Sequence, residues 1–174
     1  MVKTQNFDNI SHEYKELVEK ASKNNEDFFI ENSTIDHARF LTYTLIKRAK
    51  KSIKIFTGEL FSKFYDDELI FKSLEEKLKE GVKIKIVCQK KPQSKKCLDL
   101  EATNPNLKIR VLNNHTLLSH FLLSDSSSFR METPHTLGKI DKLVGGKANF
   151  NNRNFGELLE VFFKEIFDRS TSTK

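Results

Sequence analysis

Apolar positions along this chain recur with two alternating periods. Ile35, Ala38, Leu41, Leu45 and Ala49 return every three to four residues, which lays one apolar stripe along a helix. Asn32-Ser33-Thr34 supplies an N-cap and Asp36 an anion in the first turn, while Lys47, Arg48, Lys50 and Lys51 place cations near the end, as the helix dipole favours. Ser52 to Thr57 then alternates apolar and polar with period two, the mark of a strand, and Gly58 closes it. The pair repeats. Asp66, Asp67 and Glu68 open a second helix with Ile70, Leu74, Lys77 and Leu78 on one face, Gly81 stops it, and Val82 to Cys88 is the clearest strand in the chain. Helix, strand, helix, strand over 35–88 predicts a right-handed crossover and a parallel strand pair.

Beyond this unit, Gln89 to Asn106 reads as a polar loop with a short helix around Cys97–Leu100, and Leu107 to Leu112 as a third strand. Asn113-Asn114 turns the chain into an apolar run, Thr116 to Asp125, expected as a buried strand. Ser126 to Ser128 makes a hairpin turn and Phe129 to Glu132 returns. Pro134 to Gly146 is irregular, Lys147 to Asn151 is a short strand, and a last helix begins near Asn152. Its face of Phe155, Leu158, Leu159, Phe162, Phe163, Ile166 and Phe167 is wide enough to dock on a sheet, and residues 169–174 are expected to fray. Ahead of the first unit, residues 1–25 form a polar, partly helical segment with a narrow stripe of Tyr14, Leu17, Val18 and Ala21, followed by the short apolar patch Phe28 to Ile30. The expected architecture is one α/β domain over 1–174, with 1–30 as an N-terminal helical arm. Its sheet is expected to be mixed, mainly parallel, and flanked by helices on both faces.

Composition narrows the function classes. At 174 residues the chain can bury a sizeable core, and fifteen Phe supply large apolar groups in the absence of Trp. No run approaches the roughly 18 apolar residues of a membrane span, and the first residues lack the apolar core of a secretory signal. Two cysteines, Cys88 and Cys97, make neither a disulfide framework nor a zinc pattern, so reduced thiols and a cytoplasmic setting are expected. The histidines are scattered, and neither a Walker loop nor a dinucleotide glycine fingerprint is present, so no metal or cofactor is expected. A net charge of +6 permits a polyanionic partner without demanding one.

Several residues carry two readings. His120, near the start of the apolar run, is either a site residue or a core histidine satisfied by a neighbouring acceptor. Arg130 and Glu132 alternate on one strand face, where they form a salt bridge or line a pocket. Lys147 and Asn149 share a face, as a phosphate cradle or as a surface pair. The loop cluster Lys90, Lys91, Lys95 and Lys96 either contacts phosphates or is simply solvated. Asp125 caps the following turn in either case. His115 and His135 fall on turn and loop positions.

A strand ending in His and Asp, a Gly-x-Ala-Asn-Phe segment and a C-terminal amphipathic helix, in that order, resemble one half of the phospholipase D superfamily over roughly residues 35–168. Those proteins carry a His-x-Lys-(four residues)-Asp motif followed by a Gly-Ser-x-Asn segment. With Asp125 at the motif's Asp, the Lys position falls on His120 and the nucleophile position on Leu118. Gly146 to Asn149 would match the second segment with Lys147 in place of Ser, and Glu157 a later Glu. The stretch between Asp125 and Gly146 is longer than the family pattern. The resemblance implies a phosphoryl-transfer site with His120, Asp125, Asn149 and Glu157 in the catalytic places, and Lys147, Arg130, Lys90 and Lys91 as phosphate ligands. It also implies a homodimer, since single-motif members draw the second imidazole from a partner. Leu118 cannot attack phosphorus. The expected function is therefore a degenerate module that binds phosphate or nucleic acid, DNA or RNA, with little or no hydrolysis. The alternative is a dimeric phosphodiesterase, a nuclease, using His120. Both rest on His120, Asn149 and Glu157 converging on one hollow.

Overall fold

The computed structural model describes residues 7–114, 116–134 and 145–173. In chain order the elements are α1 (His12–Asn24), β1 (Ile30–Asn32), α2 (Ile35–Arg48), β2 (Ser52–Thr57), α3 (Ser62–Tyr65), α4 (Glu68–Lys79), β3 (Lys83–Cys88), α5 (Lys95–Thr103), β4 (Leu107–Val111), β5 (Phe121–Ser124), β6 (Ser128–Glu132), β7 (Gly146–Asn149), α6 (Arg153–Arg169) and β8 (Thr171–Ser172). The strands form a single sheet in the order β1-β7-β6-β5-β2-β3-β4-β8.

Helix starts follow capping chemistry. Thr34 accepts from the His37 amide, Asp67 from Leu69 and Ile70, Ser94 from Cys97, and Asn152 from Phe155. The period-two strands sort their side chains to two faces. Ile53, Ile55, Ile84 and Ile86 point to one side, where they are fully buried against α2, α4 and α5. Each such side chain contributes about 2 kcal/mol of burial. Phe56, Val87, Phe121, Leu123 and Phe129 point to the other side and meet Leu159, Phe163 and Ile166 of α6. Helices therefore flank both faces. The N-terminal helix is docked: Val18 and Ala21 are in the first core, and Tyr14 stacks on His37 with centroids 4.0 Å apart.

The sheet is mixed but mostly antiparallel, which corrects the expectation of a mainly parallel one. Only β2–β3 and β3–β4 run parallel. The other five pairings are antiparallel. The reason lies in the connections. A parallel neighbour needs a crossover that carries the chain back to the opposite edge, as α3–α4 and α5 do. The described residues between β4 and β5 form no such helix, so the chain re-enters as β5 from the edge at which β4 ended, and the hairpin to β6 keeps the alternation. Three smaller expectations also change. The strand expected over Thr116–Asp125 is confined to Phe121–Ser124, the short helix near Cys97 extends over Lys95–Thr103, and the tail pairs with β4 (Thr171 with Val111, Ser172 with Arg110) instead of fraying.

Candidate functional site

One edge of the sheet gathers the carboxyl ends of β2, β3 and β4, the start of β5, the end of β6 and the start of β7. The carboxyl edge of parallel strands is where α/β folds place ligands, because backbone groups and loop residues converge there. Gln89 follows β3 at this edge and is completely buried. Its Nε2 donates to the Thr116 carbonyl at 2.8 Å, which turns its Oε1 toward His120 Nε2 at 2.7 Å. That arrangement assigns the Nε2 proton of His120 to Gln89. On the other side of the ring, His120 Nδ1 lies 3.6 Å from Glu132 Oε2, and Phe56 packs edge-on with centroids 5.8 Å apart. The β6 backbone fixes this meeting, since the Glu132 amide donates to the His120 carbonyl at 2.8 Å.

Glu132 also accepts from Arg130 Nη1 at 2.7 Å, and Arg130 Nε donates to Asn32 Oδ1 at 3.0 Å. Arg130 is only 4% exposed, and its Nη2 is a buried donor with no hydrogen-bond partner among the described residues. Gly146 makes the approach of Asn32 possible, for a Cβ there would stand 2.8 Å from Asn32 Oδ1. Tyr65 completes the cluster beside Thr57. Burial first, and then the Glu132 carboxylate, push its phenol well up from the ordinary tyrosine value. The result is a buried guanidinium, a carboxylate, an imidazole and an amide in contact, with one guanidinium nitrogen left over.

The residues expected at one hollow fall into two groups. His120, Arg130, Lys90 and Lys91 lie at this edge, with Lys91 exposed and Lys90 half-buried in the loop after β3. Asp125 lies at the far end of β5, about 16 Å from His120 for five residues of extended chain. Its two oxygens accept the backbone amides of Lys50, Lys51 and Ser52 at 2.7–2.9 Å, so it clamps the turn to the start of β2. Asn149 ends β7 three positions beyond the level of Glu132 and faces the α6 side. It is fully buried, donating to Asp27 at 2.9 Å and accepting from the Asn151 amide at 2.8 Å. Glu157 is on the outer surface of α6, 3.5 Å from Arg153, and Lys147 pairs at 3.5 Å with Glu31 on the neighbouring strand. Thus His120, Asn149 and Glu157 do not converge. His115 and His135 lie outside the described residues.

Register explains the separation. The strand that returns directly beside β5 is β6, so the partner of position 120 is Glu132; Asn149, on the next strand over, meets Phe129 instead. Sequence reasoning read Glu132 with Arg130 as a salt bridge or as pocket lining, took Asn32 only as part of a helix N-cap, and passed over Gln89 and Tyr65. Gln89 did carry a signal: a polar residue immediately after the last position of a parallel strand. No described group of three or more His, Cys, Asp or Glu is arranged to hold a metal ion.

A mixed sheet with five helices contributing to the core on one face, one long helix on the other, and a polar cluster at the carboxyl edge of its parallel strands defines a phospholipase D-like fold. Solved structures carry this statement. Nuc from Salmonella typhimurium, a phospholipase D family member, superposes with TM-score 0.62 at 15% identity, over 86% of this chain and 99% of that one. NucT from Helicobacter pylori gives 0.61 at 13%, over 84% and 99%. TrmBL2, an archaeal chromatin protein described as showing a novel mode of DNA binding, gives 0.64 at 16%, over 91% of this chain; this chain spans 60% of that protein. No protein-family model matches the sequence, and no curated protein sequence matches it significantly.

Proposed function

We propose that this chain is a phospholipase D-like module that binds nucleic acid through phosphate contacts and does not hydrolyse it. The observation that carries the reading is the state of His120. Its Nε2 is spent on Gln89, whose amide is itself held by Thr116, and its Nδ1 faces a carboxylate already shared with Arg130. An imidazole so held has no lone pair aimed outward to attack phosphorus or accept a proton. The position two residues earlier, which the resemblance assigns to the nucleophile, is Leu118. At this edge Lys90 and Lys91 are the groups that take a phosphate. A DNA-binding chromatin protein among the structural neighbours supports the choice of nucleic acid.

The reading includes a homodimer. Leu158 and Val161 stand 66% and 65% exposed on the outer face of α6, with Phe162 beside them, an apolar stripe that a second copy would cover. Sedimentation at micromolar concentration then gives twice the chain mass.

The test pairs two measurements. Bis-p-nitrophenyl phosphate should not be hydrolysed above background by the protein or by His120→Ala, while labelled DNA or RNA oligonucleotides bind with an affinity that falls as salt rises. Hydrolysis that His120→Ala abolishes would establish the phosphodiesterase instead. No binding to either nucleic acid at low salt would end the nucleic-acid reading.

A further inference from the structure

The sheet carries an unusual row of charge on its α6 side, away from the edge cluster. Lys54 on β2 is the register partner of Lys85 on β3, and Lys85 is the partner of Lys108 on β4. Their neighbours Ile53, Ile55, Ile84, Ile86, Leu107 and Ile109 all enter the first core, so strand alternation turns the three lysines to the opposite face together. Adjacent strands are about 4.8 Å apart, so three ammonium stems stand abreast at that spacing. Lys83 extends the row one step toward the strand starts, where it is exposed.

Like charges opposed across strands destabilise a sheet. Here one carboxylate offsets them: Glu160 of α6 meets Lys54 Nζ at 2.6 Å and also accepts from Ser126. Among the described residues no carboxylate pairs with Lys83, Lys85 or Lys108. Lys85 and Arg110 instead lie over the Phe167 ring, at 4.7 and 4.8 Å from its centroid. A row of like charge that internal groups offset only in part, with Lys83 and Lys108 left without a described side-chain partner, is expected where an external anion supplies the rest.

We infer that Lys54, Lys85 and Lys108, with Lys83, form a track for the phosphate backbone of a single nucleic-acid strand crossing β2, β3 and β4 beside α6. The shape selects the occupant. The row is the floor of a step, and α6 rises over it by about a helix diameter, about 10 Å. A flat lipid surface resting on α6 would not reach the lysines; a polymer lying along the foot of the helix does. Flexible ammonium stems suit successive phosphates without reading sequence.

The inference rests on the nucleic-acid reading but not on the edge cluster, so the two are tested apart. Lys83→Glu/Lys108→Glu changes two exposed residues with no described side-chain partner, and circular dichroism should show an unchanged fold. Lys90→Glu/Lys91→Glu makes the same charge change at the edge. Anisotropy with a labelled single-stranded oligonucleotide should show the track variant binding at least tenfold more weakly. The slope of log affinity against log salt should become shallower by about 1.4 for two lost contacts. Lys108→Gln alone, milder still, should weaken binding severalfold. If the unsubstituted protein binds and the track variants stay within twofold of it, the track is wrong and the nucleic-acid reading survives. If the unsubstituted protein binds no oligonucleotide, with or without binding to phosphatidylserine vesicles, the reading and the track fall together.

Discussion

Asp125 shows how one carboxylate can look catalytic in a sequence and act structurally. It takes a left-handed conformation, with φ of 49°, and each oxygen accepts a backbone amide at the start of β2, one of them two. Charge-assisted bonds to backbone amides are stronger than neutral ones, about 1.5–3 kcal/mol each when intact. Asp125→Ala also loses a residue that tolerates positive φ. It should lower unfolding free energy by about 3 kcal/mol in urea titration, against about 1 kcal/mol for Asp125→Asn, which keeps one acceptor and the backbone preference. An alanine variant as stable as the parent would mean the clamp is dispensable. The same reasoning shows why His120 was ambiguous beforehand. Its partner Gln89 is thirty-one positions away, and nothing in a local pattern joins them.

At the scale of elements, what was legible followed from period and caps. The stripe from Ile35 to Ala49, the alternation of Ser52–Thr57 and the aromatic face after Asn152 each correspond to an observed element. Strand direction was not legible, because it depends on what a connection contains, and 112–120 looks like any loop. The two-residue β8 was hidden because its stability comes from β4, through Thr171 and Ser172, and not from its own residues. Nor was the convergence of site residues legible: register decides which residues meet across strands, and a shift by one strand moved Asn149 from His120 to Phe129. α6 holds a further constraint that propensity contradicts. Gly156 lies within its first turns, where alanine would ordinarily stabilise a helix by about 1 kcal/mol. A Cβ at 156, however, would stand 2.2 Å from the Ser126 carbonyl oxygen, which belongs to backbone and cannot turn aside. Gly156→Ala should therefore destabilise by at least about 2 kcal/mol, by lifting α6 from the β5–β6 turn. A raised melting temperature for this variant would contradict the packing.

The whole molecule is two apolar layers closed over one sheet, and both cysteines belong to the larger. Cys88 ends β3 and Cys97 lies in α5, each without solvent exposure. Burial pushes both thiols up, Cys97 to about 11 despite the Ser94 hydrogen bond and Cys88 further. A raised thiol value means the folded protein keeps a proton that the unfolded chain gives up near pH 8.5. The stability linked to it is whole below that pH and declines as pH climbs through the interval to about 11. Two consequences can be measured on one sample. At pH 8 a thiol reagent should find no reactive cysteine in the native protein and two after denaturation, with a native-state rate that rises with urea as global unfolding does. At pH 10 the urea midpoint should fall below its value at pH 7.5, and replacing Cys97 by Ala should flatten that fall. One thiol reacting at a rate independent of urea would show that α5 opens alone. The larger layer would then not be a single cooperative unit, and the edge carrying Gln89 and His120, which begins where β3 ends, would be free to rearrange.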